Sequence, residues 1–426
     1  MLKKIIHTFG IRAFSAVINL FVAVILSQYL GPEGKGAQSI IITTISFILI
    51  FANLVGGATL VYLTPRFPVP LLLVPSYAWT LLVSLLSYFI LSRFKLVQEP
   101  YILHVCLLSV INSLMSIHSN VLIGKQKIRE SNNLVLMQTI ALILSLVIAF
   151  MIIRHISVDS YIYSLYISLG ASMIVSTLYI RDSFGGMRLM PVRQYSPVVI
   201  QMFRYGSQNQ VAHITQMLSF RLSYYVLSEY IGLAAVGVYS NGISIAESIW
   251  LVAKSMSLVQ YSWISNSTDR QASARLTIQL VKVGVVLSLL LIFPLLLLPV
   301  SGYTFIFGTG FAGVKPVIWT LLPGVVIYNF SILFGHYYSG TGRYHVNTLI
   351  SSAGLVLSLI LYFTLIPLYS IIGAGVATSL SYIFTSSLFL WFFSREYKNW
   401  FREMIPTGND FRAVITELRN TVKPLS

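Results

Sequence analysis

One cysteine, Cys106, stands in 426 residues, which excludes an intramolecular disulfide and argues against a structural zinc site. Charge is scarce too. Asp, Glu, Lys and Arg together make up 9% of the chain, against about a quarter in soluble domains. A chain so poor in charge, 56% hydrophobic and with a mean hydropathy of +0.80, cannot hide its apolar surface in a soluble globule. No Gly-rich Walker loop occurs, so the chain is not expected to hydrolyse ATP itself. A compact basic segment is also missing. The 28 Lys and Arg outnumber the 12 Asp and Glu, giving a net charge of +16, but they lie scattered between apolar runs. Such scatter reads as a topology signal, not as a nucleic-acid surface. Neither a nucleic-acid partner nor a cofactor or metal is expected.

What the sequence has in abundance is apolar runs near twenty residues long, such as 11–30, 40–63 and 283–298, the length that crosses a bilayer as a helix. A transmembrane β-barrel would show short alternating segments instead. The expected fold is an all-α integral membrane protein with about twelve transmembrane helices. They are placed at 11–30, 37–63, 71–92, 101–123, 133–153, 160–180, 205–228, 235–263, 279–299, 313–336, 346–367 and 371–393. Met1-Leu2-Lys3-Lys4 opens like a secretory signal, but no A-x-A-like site follows, so the first span is read as retained. Lys and Arg crowd alternate connections, among them Arg66, Lys125, Lys127, Arg129, Arg181, Arg270, Arg275 and Arg343. Their asymmetry places both termini in the cytoplasm.

The connection 181–204, with Gly185-Gly186, Pro191, Pro197 and four arginines, reads as a cytoplasmic linker. It would join an N-terminal six-helix bundle (1–180) to a C-terminal one (205–393). A cytoplasmic tail (394–426) follows, in which Phe411, Val414, Ile415, Leu418 and Val422 recur at the spacing of a short amphipathic helix. External loops are all short.

The two halves echo each other. Leu26-Ser27-Gln28-Tyr29-Leu30-Gly31 matches Leu227-Ser228-Glu229-Tyr230-Ile231-Gly232, and in the same register Gly36 matches Gly237 and Ser39 matches Ser240. A weaker echo sets Leu122-Ile123-Gly124-Lys125 beside Tyr338-Ser339-Gly340-Thr341. Repeats in the same orientation predict two six-helix bundles related by a pseudo-two-fold along the membrane normal, with a substrate site between them.

With an Arg-bearing first helix, the stretch Ser27-Gln28-Tyr29-Leu30-Gly31-Pro32-Glu33-Gly34-Lys35-Gly36-Ala37 resembles the bacterial polysaccharide-repeat-unit flippases, of the O-antigen and capsule type. Tyr230-Ile231-Gly232, Val236-Gly237-Val238-Tyr239-Ser240 and the Gly340-Thr341-Gly342-Arg343 turn support the likeness. These belong to the multidrug/oligosaccharidyl-lipid/polysaccharide exporter superfamily, with the multidrug and toxin extruders and the usually fourteen-span peptidoglycan-precursor flippases. The resemblance implies a V-shaped pair of bundles in the bacterial cytoplasmic (inner) membrane, opening a cavity to each side in turn. The implied cargo is an oligosaccharide on a polyprenyl pyrophosphate carrier, passed to the outer leaflet with its tail in membrane lipid. Coupling to H+ or Na+ and work beside a polysaccharide polymerase machinery are expected. Enzymatic activity is not.

Ionisable groups inside apolar spans cost a few kcal/mol and by default face an interior. Arg221 and His213 lie in the seventh span; Glu247 and Lys254 lie in the eighth, seven residues apart and therefore on one face. For the implied pyrophosphate, Arg12, Arg221 and Lys254 are the expected cationic contacts. Tyr224, Trp250 and Tyr261 would stack on sugar faces. Asn19, Asn53, Gln210 and Gln216 would hydrogen-bond, with His213 beside them. Glu247 is the expected ion-coupling carboxylate. Plainer roles compete: a structural Glu247–Lys254 pair, interfacial snorkelling of Arg12 or Arg221, and simple packing of His213. A multidrug or small-molecule exporter is the alternative function, ahead of a membrane polysaccharide polymerase or ligase, which needs larger external loops.

Overall fold

The computed structural model describes residues 2–183, 191–267 and 269–405, and no strand occurs among them. In chain order the helices are α1 (Leu2–Gly56), α2 (Ala58–Leu63), α3 (Val69–Phe94), α4 (Glu99–Gly124), α5 (Ile128–Val147), α6 (Val158–Ile180) and α7 (Val192–Tyr230). Then come α8 (Leu233–Ser248), α9 (Trp250–Asn266), α10 (Arg270–Leu297), α11 (Val300–Phe307), α12 (Val314–Gly340), α13 (Tyr344–Glu396) and α14 (Trp400–Met404). The chain is an all-helical, multi-pass membrane protein.

Each expected span finds its helix. Among the described residues, eight helices are long and apolar enough to cross a membrane, nine if the bent pair α8–α9 counts as one span. Two of these hold two spans each. In α1 the backbone turns at Gly31, whose φ of 66° suits a residue without Cβ, and Pro32 restarts the helix. In α13 the turn falls at Ser370, with φ 54° and ψ −135°. Gly373 lies so close behind the Leu365 carbonyl that no side chain fits there. The remaining span is α7, too polar for a composition count because it carries Arg204, Gln210, His213 and Arg221.

Two compact units emerge. The first comprises Met1–Met217, Ile231–Val238 and Phe305–Phe311; the second comprises Leu218–Tyr230, Tyr239–Thr304 and Ala312–Ser426. Residues 181–204, read from sequence as a linker, are helical from Val192 onward. The physical reason is burial: Val198 and Met202, four residues apart, sink into the first unit's core of Leu60, Leu63, Leu72 and Leu122. The second unit's core gathers Val281, Leu333, Phe334, Tyr338, Ile350 and Phe393, with Trp400 and Met404 of α14 packed on it. The amphipathic helix expected from Phe411 to Val422 lies outside the described residues.

Small polar residues let helices approach in the first unit. Ser160, Ser164, Ser168, Ser172 and Ser176 recur every four residues along α6 and are all buried. Several return their hydroxyls to their own helix, as Ser164 does to the Ser160 carbonyl at 2.9 Å. Such a stripe satisfies its polar atoms locally and takes little room.

The internal repeat has a structural counterpart inside the first unit. A Cβ on Gly36 would collide with the Leu233 carbonyl, and one on Gly237 would collide with the Pro32 carbonyl. Each would also sit 3.2 or 3.0 Å from the other glycine's nitrogen. In the repeat register Pro32 matches Leu233 as Gly36 matches Gly237, so the contact is its own mirror under exchange of the repeats. The weaker echo also shares a geometry. Lys127 N donates to the Leu122 carbonyl and Arg343 N to the Tyr338 carbonyl, both at 2.8 Å. Gln126 (φ 60°) and Gly342 (φ 77°) occupy the left-handed position of these two helix ends.

Candidate functional site in the second unit

The second unit contains a paired buried charge. Arg221, on α7, donates through Nη1 to Glu247 Oε1 at 3.1 Å and through Nη2 to Oε2 at 2.7 Å. This two-pronged geometry suits the planar guanidinium. The side chains are 23% and 12% exposed, respectively. Tyr382 of α13 donates its hydroxyl to Glu247 Oε1 at 2.8 Å. The guanidinium carbon also stands 5.7 Å from the Tyr224 ring centroid.

This pair contradicts the expected partnership of Glu247 with Lys254. The seven-residue spacing assumes a straight helix, but α8 and α9 meet at Ile249 with a bend of 44°. Lys254 is exposed, and its Nζ lies 5.7 Å from the Trp250 ring centroid. Glu247 therefore neutralises Arg221, one of the three expected cationic contacts.

Aromatic rings wall the carboxylate. Trp250, Tyr328 and Tyr382 stand with centroids 4.6 to 5.2 Å apart, and Phe220 closes the cluster at 5.1 Å from Tyr382. Trp250 Nε1 donates to the Val325 carbonyl at 2.9 Å. Farther along, Tyr239 and Tyr362 share the Thr378 hydroxyl at 2.7 and 3.0 Å, and Tyr362 donates to the Ser219 carbonyl at 2.8 Å. Two polar groups thus stand in an otherwise apolar bundle, one around Glu247 and one around Thr378, and the rings of Tyr224 and Tyr239 meet between them with centroids 5.9 Å apart.

The sequence-derived site residues separate into groups. Arg221, Tyr224, Glu247 and Trp250 come together in the second unit. Trp250 is 1% and Tyr224 4% exposed, so their rings are covered and line the pair rather than offering faces for sugar stacking. In the first unit, Gln210 Nε2 reaches the Asn53 carbonyl at 3.5 Å, and Ser116 donates to Asn53 Oδ1 at 3.3 Å. Those contacts are interhelical bonds. Arg12, Asn19 and His213 are exposed on their helices. Tyr261 is 37% exposed, with its hydroxyl 3.5 Å from that of Tyr344.

Sequence reading missed Tyr382, Tyr328 and Phe220. The signal for Tyr382 was its spacing of four from Thr378, a polar stripe on an apolar helix. Lys35 was placed in a connection, yet it is 7% exposed, with Nζ donating to Gln38 Oε1 at 2.6 Å and Ser39 Oγ at 3.2 Å. Among the described residues, no group of three or more His, Cys, Asp or Glu is arranged to hold a metal ion.

No family model matches the chain. It is 23% identical over 294 residues to an uncharacterised membrane protein of Methanocaldococcus jannaschii, a match spanning 67% of this chain and 57% of the relative. Among solved structures it is similar to the lipid II flippase MurJ in an inward closed conformation, with a TM-score of 0.75 at 16% identity over 97% of this chain and 96% of that one. An inward-facing multidrug resistance MATE family transporter of the MOP superfamily gives a TM-score of 0.74 at 12% identity, covering 91% and 96%. A Vibrio cholerae MATE transporter, VcmN, gives 0.63 at 12% identity, covering 94% and 98%. The chain therefore has the fold of the MOP-superfamily transporters.

Proposed function

We propose that this protein flips a polyprenyl-pyrophosphate-linked oligosaccharide repeat unit from the cytoplasmic to the outer leaflet by alternating access, driven by an ion gradient. The observation that carries the reading is the Arg221–Glu247 pair: a guanidinium fork already holding a bidentate oxyanion, yet 23% exposed. A phosphate presents the same oxygen geometry as a carboxylate. It can take the fork when a proton or Na+ on Glu247 cancels the carboxylate charge. Occupancy of Glu247 by the ion and of the fork by the headgroup are thereby thermodynamically linked. Arg12, Lys254 and His213, all exposed, supply further positive or hydrogen-bonding contacts along the headgroup's route, with Asn19 and Tyr261. Both termini stand in the cytoplasm in this reading, with the protein in a bacterial inner membrane beside a polysaccharide polymerase machinery.

Reconstituted vesicles test it. The wild type should move a fluorescent polyprenyl-pyrophosphate glycan to the opposite leaflet. Arg221→Ala should abolish that movement when reconstituted in equal amount, while Arg221→Lys should retain part of it. Unchanged transport by Arg221→Ala would remove the headgroup role. A second reading, export of an organic cation, is favoured by the aromatic wall around Glu247, since rings and a carboxylate suit cations. Efflux of a fluorescent organic cation from the same vesicles, without glycan movement, would select it.

A further inference from the structure

A groove of about 540 Å³ opens in the second unit between one end of α10 and the segment around α14. Arg275, Lys282 and Arg402 line it, with one carboxylate, Glu403. That carboxylate is occupied: Tyr397 donates its hydroxyl to Glu403 Oε1 at 2.6 Å, while Arg275 Nε donates to the Tyr397 oxygen at 3.4 Å. Arg275 and Lys282 are seven residues apart on uninterrupted helix, hence on one face. Lys282 is 9% exposed, so a charged side chain is sunk into the groove wall rather than waving in solvent. Three cations against one carboxylate leave the groove cationic.

Its walls are not all polar. Ile278 and Ile405 complete the lining, and Ile405 and Phe401 are 56% and 68% exposed. Continuing along the same face of α10, Leu289 and Phe293 are 51% and 61% exposed. The face thus passes from cationic to bare hydrocarbon within about two or three helical turns. A free phosphate would use only the first part of this surface. A phospholipid uses both, with its phosphate in the groove and its acyl chains along α10.

From this arrangement we infer a binding site for the phosphate headgroup of an anionic membrane lipid, seated between Arg275, Lys282 and Arg402. The site lies at the end of α10 that carries Arg270 and Arg275 and near Arg395 and Lys398, the basic side that the positive-inside rule places in the cytoplasm. Basic pockets between helices on that side are suited to acidic headgroups. It stands independently of the cargo proposed above, because none of its lining residues belongs to the Arg221–Glu247 cluster.

The test uses the full chain in detergent, titrated with phosphatidylglycerol, phosphatidylcholine or inorganic phosphate, with bound lipid counted by native mass spectrometry. Phosphatidylglycerol should bind at least tenfold more tightly than phosphatidylcholine. Each neutralised cation should weaken it about fivefold, from roughly 1 kcal/mol per basic residue near an acidic lipid surface. The exposed pair Arg275→Gln and Arg402→Gln is the primary variant, since neither side chain is in the core. Lys282→Met, which risks misfolding, is confirmatory. Equal binding of the two lipids, or undiminished phosphatidylglycerol binding by the Arg275→Gln/Arg402→Gln protein, would overturn the assignment. Displacement of phosphatidylglycerol by equimolar inorganic phosphate would also overturn it, in favour of a free-anion site.

Discussion

Replacing Glu247 by Gln deprives Arg221 of its countercharge while leaving a carbonyl that still accepts from Tyr382. Two unit charges about 4 Å apart attract by about 4 kcal/mol at an effective dielectric constant near 20. Deleting one member of a buried pair costs about 3–5 kcal/mol. The side chains here keep 23% and 12% exposure, so water screens part of the charge, and the expected cost of Glu247→Gln is about 2–3 kcal/mol. Arg221→Met should cost a similar amount by stranding the carboxylate. The double variant Arg221→Met/Glu247→Gln removes both charges together with their desolvation penalty, and should lie within about 1 kcal/mol of the wild type. Unfolding of purified protein in one detergent, followed by tryptophan fluorescence, measures all four corners of the cycle. Trp250 lies in the same cluster and contributes a local signal. Additive single effects in the double variant would refute the argument, because they would mean that the charges do not stabilise each other. A double variant that is stable but fails to transport would assign the pair to function beyond folding.

Gly36→Ala and Gly237→Ala should each destabilise the protein by about 1–3 kcal/mol or more, since either Cβ meets a backbone carbonyl with no room to yield; solubilised yield and melting temperature report it, and a neutral Ala at either site would refute the close crossing. Ser370→Gly should stabilise by about 1 kcal/mol, because a left-handed φ of 54° strains any residue with a Cβ; a lowered melting temperature would contradict this. Lys35→Met replaces a buried ammonium that donates to the neutral oxygens of Gln38 and Ser39, so stability should hold or rise by about 1 kcal/mol. A clear drop in melting temperature would show that the ammonium is better compensated than these contacts indicate.

Span positions were readable because the bilayer demands long apolar runs, and these survive any detail of packing. The turn at Gly31-Pro32 was readable for a local reason: glycine tolerates positive φ and proline starts helices. In α13 a serine takes the positive φ, and the break expected between 367 and 371 was readable from span length, since Leu368-Tyr369-Ser370 carries no turn residue of its own. The Arg221–Glu247 pair failed to emerge for a related cause. Ser248-Ile249 contains neither Gly nor Pro to announce a bend, so Glu247 and Lys254 were placed on a face that does not exist. Helical periodicity resolves neighbours along one helix; partners 26 residues apart on α7 and α8 depend on tertiary register, which a single sequence does not express. Arg221 and Glu247 themselves were legible as expensive groups. Their aromatic wall was not, because Tyr and Phe are common throughout this chain.

The reciprocal crossing at Gly36 and Gly237 bears on how the two halves can drift apart in sequence. Most positions of a duplicated chain are free to diverge once their surroundings differ. Here each glycine is constrained by a carbonyl belonging to the other copy, and each of those carbonyls stands four residues before the opposite glycine. A larger residue in one copy has no compensating deletion available in the other, since both partners are already backbone. The pair forms a mutational dead end for either half, and the faint self-similarity of the sequence should persist longest around it.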